Sequence, residues 1–193
     1  MILSTLICTT VDREEMFQKL YAHLACQCIN QEAEILFERD NKEISVGSKR
    51  QKLLERAKGD YVSFVDSDDW VPDDYIFNIL FNVTRDHSVD CVGFLIDCDI
   101  EGRKENAIAS NRYEDWGDNI DGYRHVRTIY HKTPVKREHA LAIGYKDMRY
   151  GEDYEYSKRL KESGLLKKEA FINKVMYYYQ YRSTPHAERY GIK

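Results

Sequence analysis

The stretch "FVDSDDWVP", residues 64–72, places Asp66, Asp68 and Asp69 directly behind an apolar run, with Asp73 and Asp74 just beyond. Carboxylates so close together repel one another, and negative charge at the end of a buried strand is costly unless something positive faces it. A D-x-D of hard oxygen ligands suits Mg²⁺ or Mn²⁺, ions that usually arrive with a substrate's phosphates. The residues alone point to a metal–phosphate site, with a solvated acidic turn capping the next helix as the alternative. A calcium loop of the EF-hand type is excluded. Counted from Asp66, the place that needs glycine holds Val71 and the place that needs glutamate holds Phe77. Asp73 and Asp74 need be no more than favourable first-turn charges of a following helix. A second acidic pair, Glu152 and Asp153 in "YGEDYEYSKRLKESG", reads alone as helix N-terminal charge. Beside a phosphate site the same pair offers a general base.

The elements around these residues alternate. "ILSTLIC" reads as a buried strand and "TTVDREEMFQKLYAHLAC" as a helix with Phe17, Leu20, Tyr21, Leu24 and Ala25 on one face. "AEILFERD" is a second strand. "SVGSKRQKLLERAKG" is a second helix, with Ser48 and Gln51 at capping-box spacing and Gly59 as its stop. "DYVSFV" is a third strand, Pro72 fits the first turn of a third helix through "DDYIFNILFNVTRD", and "VDCVGFLID" is a fourth strand. Strand–helix alternation predicts an α/β fold with a mainly parallel central sheet flanked by helices. Ligands of such sheets bind beyond the C-terminal strand ends, where the acidic stretch falls. After residue 100 the segment "DIEGRKENAIASNRYEDWGDNIDG" is polar and without period, and reads as a loop or irregular hairpin. Further on, "YRHVRTIYHKTPVKREHALAIG" holds a strand and a short helix, residues 150–164 a helix, and "FINKVMYYYQYRS" one or two strands.

Composition narrows the class. The 193 residues carry a net charge of -4, with 42% hydrophobic and 32% charged residues, as in a soluble globular domain. Net negative charge gives no general attraction to nucleic acid. No apolar run has the length of a membrane span. The opening "MILSTLICTT" lacks a basic n-region and reads as a first strand, not a signal peptide. The five cysteines, an odd number lying mostly in apolar runs, fit reduced thiols and a cytoplasmic setting. Trp70, Tyr113, Trp116 and Tyr123 each read as a loop anchor or as an aromatic wall for a ligand. His131, Lys132 and Arg137 read as solvated charge, with acceptor or phosphate contact as the alternative.

"AKGDYVSFVDSDDWVPDDYI" resembles the D-x-D segment of GT-A fold glycosyltransferases, in particular glycosyltransferase family 2. The order of the D-x-D and the later "GED", with the intervening strand and helix pattern, carries the resemblance over most of the chain. "CTTVDREE" departs from the family's usual proline-bearing opening. The resemblance implies a metal-dependent, inverting transfer of a sugar from a nucleoside diphosphate to an acceptor hydroxyl. A UDP-sugar is the first choice of donor, with Mn²⁺ or Mg²⁺ as cofactor. It implies metal ligands at Asp66, Asp68 and the late histidine His186. Donor contacts are implied at Thr9, Glu38, Asp40, Lys49, Arg50, Asp66, Ser67 and Asp69, with Asp40 on the base and Glu38 behind it. The implied catalytic base is Asp153, with Glu152 next. Residues 1–100 would form the donor-binding half and 101–193 the acceptor-binding half of one domain. A glycan or other hydroxyl compound is the expected acceptor, with nucleic acid less favoured by the charge. Two other readings compete. A nucleotidyltransferase would need a glycine-rich basic loop after the first strand, where "CTTVDREE" is acidic and has no glycine. A non-catalytic binding module on the same fold would have no use for intact Asp66, Asp68 and Asp153. The chain reads as a minimal catalytic domain or one module of a longer protein.

Overall fold

The computed structural model describes residues 1–183. The chain opens with β1 (Leu3–Thr10), a run buried almost throughout. β1 pairs in parallel with β2 (Ala33–Asp40) and with β3 (Tyr61–Phe64). The crossovers carry α1 (Glu14–Cys28), entered through a 3₁₀ turn at Val11–Arg13, and α2 (Val46–Arg56). Then α3 (Tyr75–Arg85) leads into β4 (Cys91–Ile100). The second half runs β5 (Arg103–Ala109), β6 (Gly117–Ile120), β7 (Tyr123–Arg127), β8 (Val135–Lys136), α4 (Arg137–Ile143), α5 (Glu152–Glu162) and β9 (Glu169–Tyr181). Among the described residues the strands form one sheet of order β2-β1-β3-β8-β4-β5-β7-β6, and β9 pairs with β4 in parallel. The expected α/β class with a mostly parallel core holds, and β8 enters that core antiparallel.

Strand alternation divides the core between the two sheet faces. Leu3, Ile7, Tyr61 and Val65 face the layer where α1 buries Phe17, Leu20 and Leu24 and α3 buries Tyr75, Ile76, Ile79, Leu80 and Val83. Leu6, Cys8, Val62 and Phe64 face the layer of α2, α4 and α5, with Leu53, Leu54, Ala140, Tyr156 and Leu160. Each such side chain, fully withdrawn from water, contributes about 1.5–3 kcal/mol. The two layers therefore hold β1 and β3 rigidly beneath the acidic stretch.

Four local expectations change. Ser45, not Ser48, caps α2: its Oγ accepts from the Ser48 amide at 3.0 Å, while the Ser48 hydroxyl donates to Asp147 at 2.8 Å. Gly59 is not the stop of α2, which ends at Arg56. A Cβ on Gly59 would lie 2.5 Å from the Ser4 amide nitrogen, so close packing on β1 requires glycine. Pro72 precedes α3 rather than opening it, and its carbonyl accepts from the Tyr75 amide at 3.1 Å. Asp74 flanks α3 without capping it and pairs instead with Lys174.

Of the two readings of the polar stretch after residue 100, a loop or an irregular hairpin, the hairpin holds: the stretch carries β5 and β6. Two tight hairpins build it. Glu101 and Gly102 have φ of 52° and 82°, and Asp121 and Gly122 have φ of 53° and 81°. Two successive positive φ values are what a type I′ turn demands, and it matches the twist of the flanking strands.

Candidate functional site

The C-terminal ends of β1 and β3, the N-terminus of α5 and the buried turn between β7 and β8 enclose a cleft of about 710 Å³. The acidic stretch lies on its floor. Val65 extends the sheet by donating to the Leu6 carbonyl at 3.0 Å, and the chain then turns with the Asp69 amide on the Asp66 carbonyl, again at 3.0 Å.

Two of the three carboxylates meet buried cations of the protein itself. Asp66 receives Arg50 Nη2 at 2.9 Å on Oδ1, and His131 Nε2 and Lys132 Nζ at 3.2 Å each on Oδ2. Asp69 receives Lys132 Nζ at 2.6 Å, the Tyr177 hydroxyl at 2.8 Å and the Gln180 amide at 2.8 Å. The Lys132 ammonium also lies over the rings of Tyr177 and Tyr179, 4.5 and 4.2 Å from their centroids. Desolvation alone would raise the Asp66 carboxyl. Lys132, Arg50 and His131 outweigh it and hold Asp66 well below the usual carboxylate range. Asp69 has the opposite balance. Burial, helped by Asp66 and Asp68 and opposed by Lys132, pushes it up to about 6. Burial and the Arg50 charge lower His131 to about 4, against the pull of Asp66.

Asp68 differs from both. Its side chain is 32% exposed on the cleft, and among the described residues only its Oδ1 is engaged, by Arg13 Nη1 at 3.0 Å. Among the described residues no group of three or more His, Cys, Asp or Glu side chains is arranged to hold a metal. Mg²⁺ and Mn²⁺ do not require such a cage, because they are commonly held by one or two carboxylates with substrate phosphates and water completing the shell. Asp68 with its second oxygen open to the cleft fits that mode, and the engaged oxygens of Asp66 and Asp69 fit it less well. His186 lies outside the described residues.

Across the cleft, α5 starts after Gly151, whose φ of 74° aims the helix N-terminus inward. Glu152 is buried, with Oε1 3.2 Å from Arg50 Nε, and burial raises its pKa. Asp153 is 31% exposed on the cleft; its Oδ1 accepts from the Tyr154 amide at 2.8 Å and its Oδ2 stands 4.0 Å from His131 Nδ1. Arg50 thus ties the D-x-D segment to the start of α5, and its guanidinium rests 5.0 Å over the Phe64 ring.

An adjoining hollow of about 410 Å³ between β1 and the start of α2 is lined by Thr9, Thr10, Arg13, Lys49 and Tyr150. Lys49 is buried there, donating to the Thr9 carbonyl at 2.9 Å and to Asp40. Asp40 has its second oxygen on the Ile44 amide at 2.8 Å, so each of its oxygens already accepts one hydrogen bond. Glu38 is not brought to the cleft; it turns outward to Arg56 at 2.8 Å and Lys52 at 3.7 Å. Ser67 is buried, and its hydroxyl finds no partner among the described residues. The structure therefore gathers Thr9, Lys49, Arg50, Asp66, Asp68, Asp69, Glu152 and Asp153 around one opening.

The far end of the cleft is floored by Ile96, Cys98 and Ile100 of β4 and walled by Trp116, Tyr130 and Tyr179. Trp116 donates from Nε1 to Ser157 Oγ at 3.0 Å and carries Arg127 4.7 Å over its ring. Tyr113 packs in a separate cluster with Ile108 and Val126, and Tyr123 against it. Trp70 is an anchor: it stacks on His23 at 4.3 Å and bridges to Tyr178. Arg137 binds the Gly59 carbonyl at 3.1 Å, away from this cleft. His131 and Lys132, read from sequence as solvated charge, are buried at its centre. The signal for them was weak: a cationic pair inside "TIYHKTPV", all buried, with its partners 63 and 65 residues away in the chain.

The family model described as glycosyl transferase family 2 matches residues 25–146. An uncharacterized glycosyltransferase of Haemophilus influenzae is 28% identical over 104 residues, covering 53% of this chain and 40% of its own length. Among solved structures, S. aureus TarS in complex with UDP-GlcNAc superposes with a TM-score of 0.62 at 15% identity, over 97% of this chain and 61% of that one. TarS in complex with UDP gives 0.63 at 15% identity, over 100% and 63%. At that identity the likeness is one of fold, the GT-A fold. The chain spans less than two thirds of each of these relatives. Among the described residues no helix is long and apolar enough to cross a membrane.

Proposed function

The chain belongs to glycosyl transferase family 2, and on that premise we propose that it transfers a sugar from a nucleoside-diphosphate sugar to an acceptor hydroxyl, inverting the anomeric centre. The observation that carries this reading is the convergence on one cleft of Asp68 with an open oxygen, a cation-braced acidic floor and the exposed carboxylate of Asp153. The nucleoside would occupy the hollow beside Thr9 and Lys49. That placement leaves its diphosphate near Asp68 and Arg13. A UDP-sugar is the first donor to test, since solved TarS complexes of this fold hold UDP and UDP-GlcNAc.

The residues divide the work. Arg50 and Lys132 neutralise Asp66 and Asp69, so that a diphosphate entering the cleft meets little uncompensated negative charge. Arg13 is placed to exchange Asp68 for a phosphate oxygen. A divalent cation held between Asp68 and the diphosphate would supply Lewis-acid neutralisation of the departing charge. Asp153 takes the proton of the attacking hydroxyl. Glu152, buried against Arg50, holds the start of α5 in place rather than touching substrate. The acceptor lies along Trp116, Tyr130 and Tyr179, a surface suited to the apolar face of a sugar ring. This division agrees with a donor half within residues 1–100 and an acceptor half after it. A nucleotide-sugar donor and five unpaired cysteines fit a cytoplasmic place of action.

The test is UDP release from a panel of UDP-sugars, with water or candidate glycans as acceptor. Turnover by the wild type that Asp153→Asn lowers by about 10²–10⁴ supports the reading. A folded wild type without turnover on any donor contradicts it.

A further inference from the structure

His131 is the buried group at the centre of the site for which the transfer chemistry, as assigned above, has no use. It is 3% exposed and bridges the two halves of the cleft. Nε2 lies 3.2 Å from Asp66 Oδ2 and Nδ1 lies 4.0 Å from Asp153 Oδ2. Nδ1 is buried and has no hydrogen-bond partner among the described residues. A buried polar atom left unpaired is unfavourable by itself, so its orientation calls for a reason.

The tautomer follows from the neighbours. Asp66 is held ionised by Arg50 and Lys132 and can only accept, so Nε2 carries the ring proton and Nδ1 keeps its lone pair. That lone pair faces Asp153. While Asp153 is ionised the two repel, which agrees with a gap beyond hydrogen-bond range. Once Asp153 carries a proton, the same geometry turns attractive. Rotation of one half-exposed carboxyl closes the gap, because its Oδ1 is tied only to the Tyr154 amide next to it.

We propose that His131 is a positioning residue for the transfer step: its Nδ1 accepts a hydrogen bond from the Asp153 carboxyl as that carboxyl takes the proton of the acceptor hydroxyl. This rests on the reading of Asp153 as the base. In the step, the acceptor O–H bond breaks and its oxygen bonds to the anomeric carbon. The anomeric C–O bond to the diphosphate breaks, and its electron pair leaves with the nucleotide. The proton ends on Asp153 Oδ2, hydrogen-bonded to Nδ1, and His131 stays neutral throughout. An interaction that forms as the proton is transferred stabilises the transition state without strengthening substrate binding. Asp66 then has a second role, since its hold on Nε2–H fixes the tautomer that leaves Nδ1 free.

The experiment uses the full chain and three forms of residue 131. First, the ring nitrogens of His131 in ¹⁵N-labelled wild type are observed by long-range ¹H–¹⁵N correlation at pH 7. The expected result is the Nε2–H tautomer with unprotonated Nδ1; an Nδ1–H tautomer overturns the proposal. Second, UDP release from the UDP-sugar panel is measured for wild type, His131→Leu and His131→Asn. Leu removes the acceptor, and kcat should fall about 30-fold with the donor KM unchanged. Asn restores an oxygen near the place of Nδ1 and should recover kcat to within about 3-fold of wild type. A loss expressed in KM, or equal losses in Leu and Asn, assigns His131 a merely structural role and overturns the proposal. An active wild type with an equally active His131→Leu removes the proposal alone. A folded wild type that turns over no donor removes the transferase reading and the proposal with it. If His131→Leu does not fold, the tautomer and the Asn variant decide.

Discussion

Lys132→Met should destabilise the fold more than any surface substitution of this chain, and should do so in a pH-dependent way. The ammonium is buried 2.6 Å from Asp69 and 3.2 Å from Asp66. Removing one partner of a buried pair leaves the other charge uncompensated, at a cost of about 3–5 kcal/mol. Native stability as a whole is about 5–15 kcal/mol, so the variant remains folded but close to the edge. At about 2–4 °C per kcal/mol for a domain of this size, the melting temperature should drop by about 6–20 °C. The pH dependence follows from Asp69, whose pKa is raised to about 6. At pH 7.5 Asp69 is ionised in the wild type and the loss of Lys132 is felt fully. At pH 5 Asp69 is already protonated, its attraction to Lys132 has largely gone, and the loss should be smaller. The assay is urea unfolding of both proteins at the two pH values. Adding Asp69→Asn to Lys132→Met should recover about 2 kcal/mol at pH 7.5, since an amide needs no counter-charge. A loss below about 1 kcal/mol at pH 7.5, or the same loss at both pH values, would refute the buried network.

Other outcomes follow from the same geometry. Asp69 binds its proton more tightly folded than unfolded, so the folded state holds the extra proton between pH 4 and 6; its share of stability falls as pH rises through that window, and Asp69→Asn should remove this slope from a series of urea melts. Asp66 has the opposite sign, its share being present above pH 4 and lost below it, so Asp66→Asn should flatten the acid limb of the same series. Gly47→Ala drives a Cβ to 2.0 Å from the Lys146 carbonyl oxygen and should lower stability by about 1–3 kcal/mol, read by thermal melting. Asp68→Ala, which loses only a partly exposed pair with Arg13, should change stability by less than about 1 kcal/mol.

The architecture of the first hundred residues was legible because its signals are local. Buried runs such as "LSTLICTT" and the spacing of Phe17, Leu20 and Leu24 each point to one element, and alternation of the elements points to the sheet. The strand opening at Tyr123 was legible, but β5 and β6 were visible only as a loop or irregular hairpin. β6 reads "GDNI", mostly exposed and without an apolar face, and is held by its partner strand and a type I′ turn at Asp121 and Gly122, an Asp-Gly pair that is the one local signal for this hairpin. The acidic site was visible as a cluster of like charges, but its solution was not. Counter-charge from a bound cation was the expectation. For Asp66 and Asp69 Arg50 and Lys132 supply it from within the chain and His131 adds a hydrogen bond, and His131 and Lys132 reach the site only through a turn more than sixty residues downstream. Asp40 and Glu38 show partners that the sequence did not announce. Both end the second strand as expected, yet Lys49 and Arg56 occupy them.

Titration calorimetry of UDP-sugars into the chain, with and without Mn²⁺, on wild type and Asp68→Ala, tests the central claim most directly. The account predicts binding that is strengthened by Mn²⁺ in the wild type and loses that dependence in a folded Asp68→Ala. Absence of binding by every UDP-, GDP- and dTDP-sugar to folded wild type, or binding indifferent to both the ion and Asp68, would contradict it.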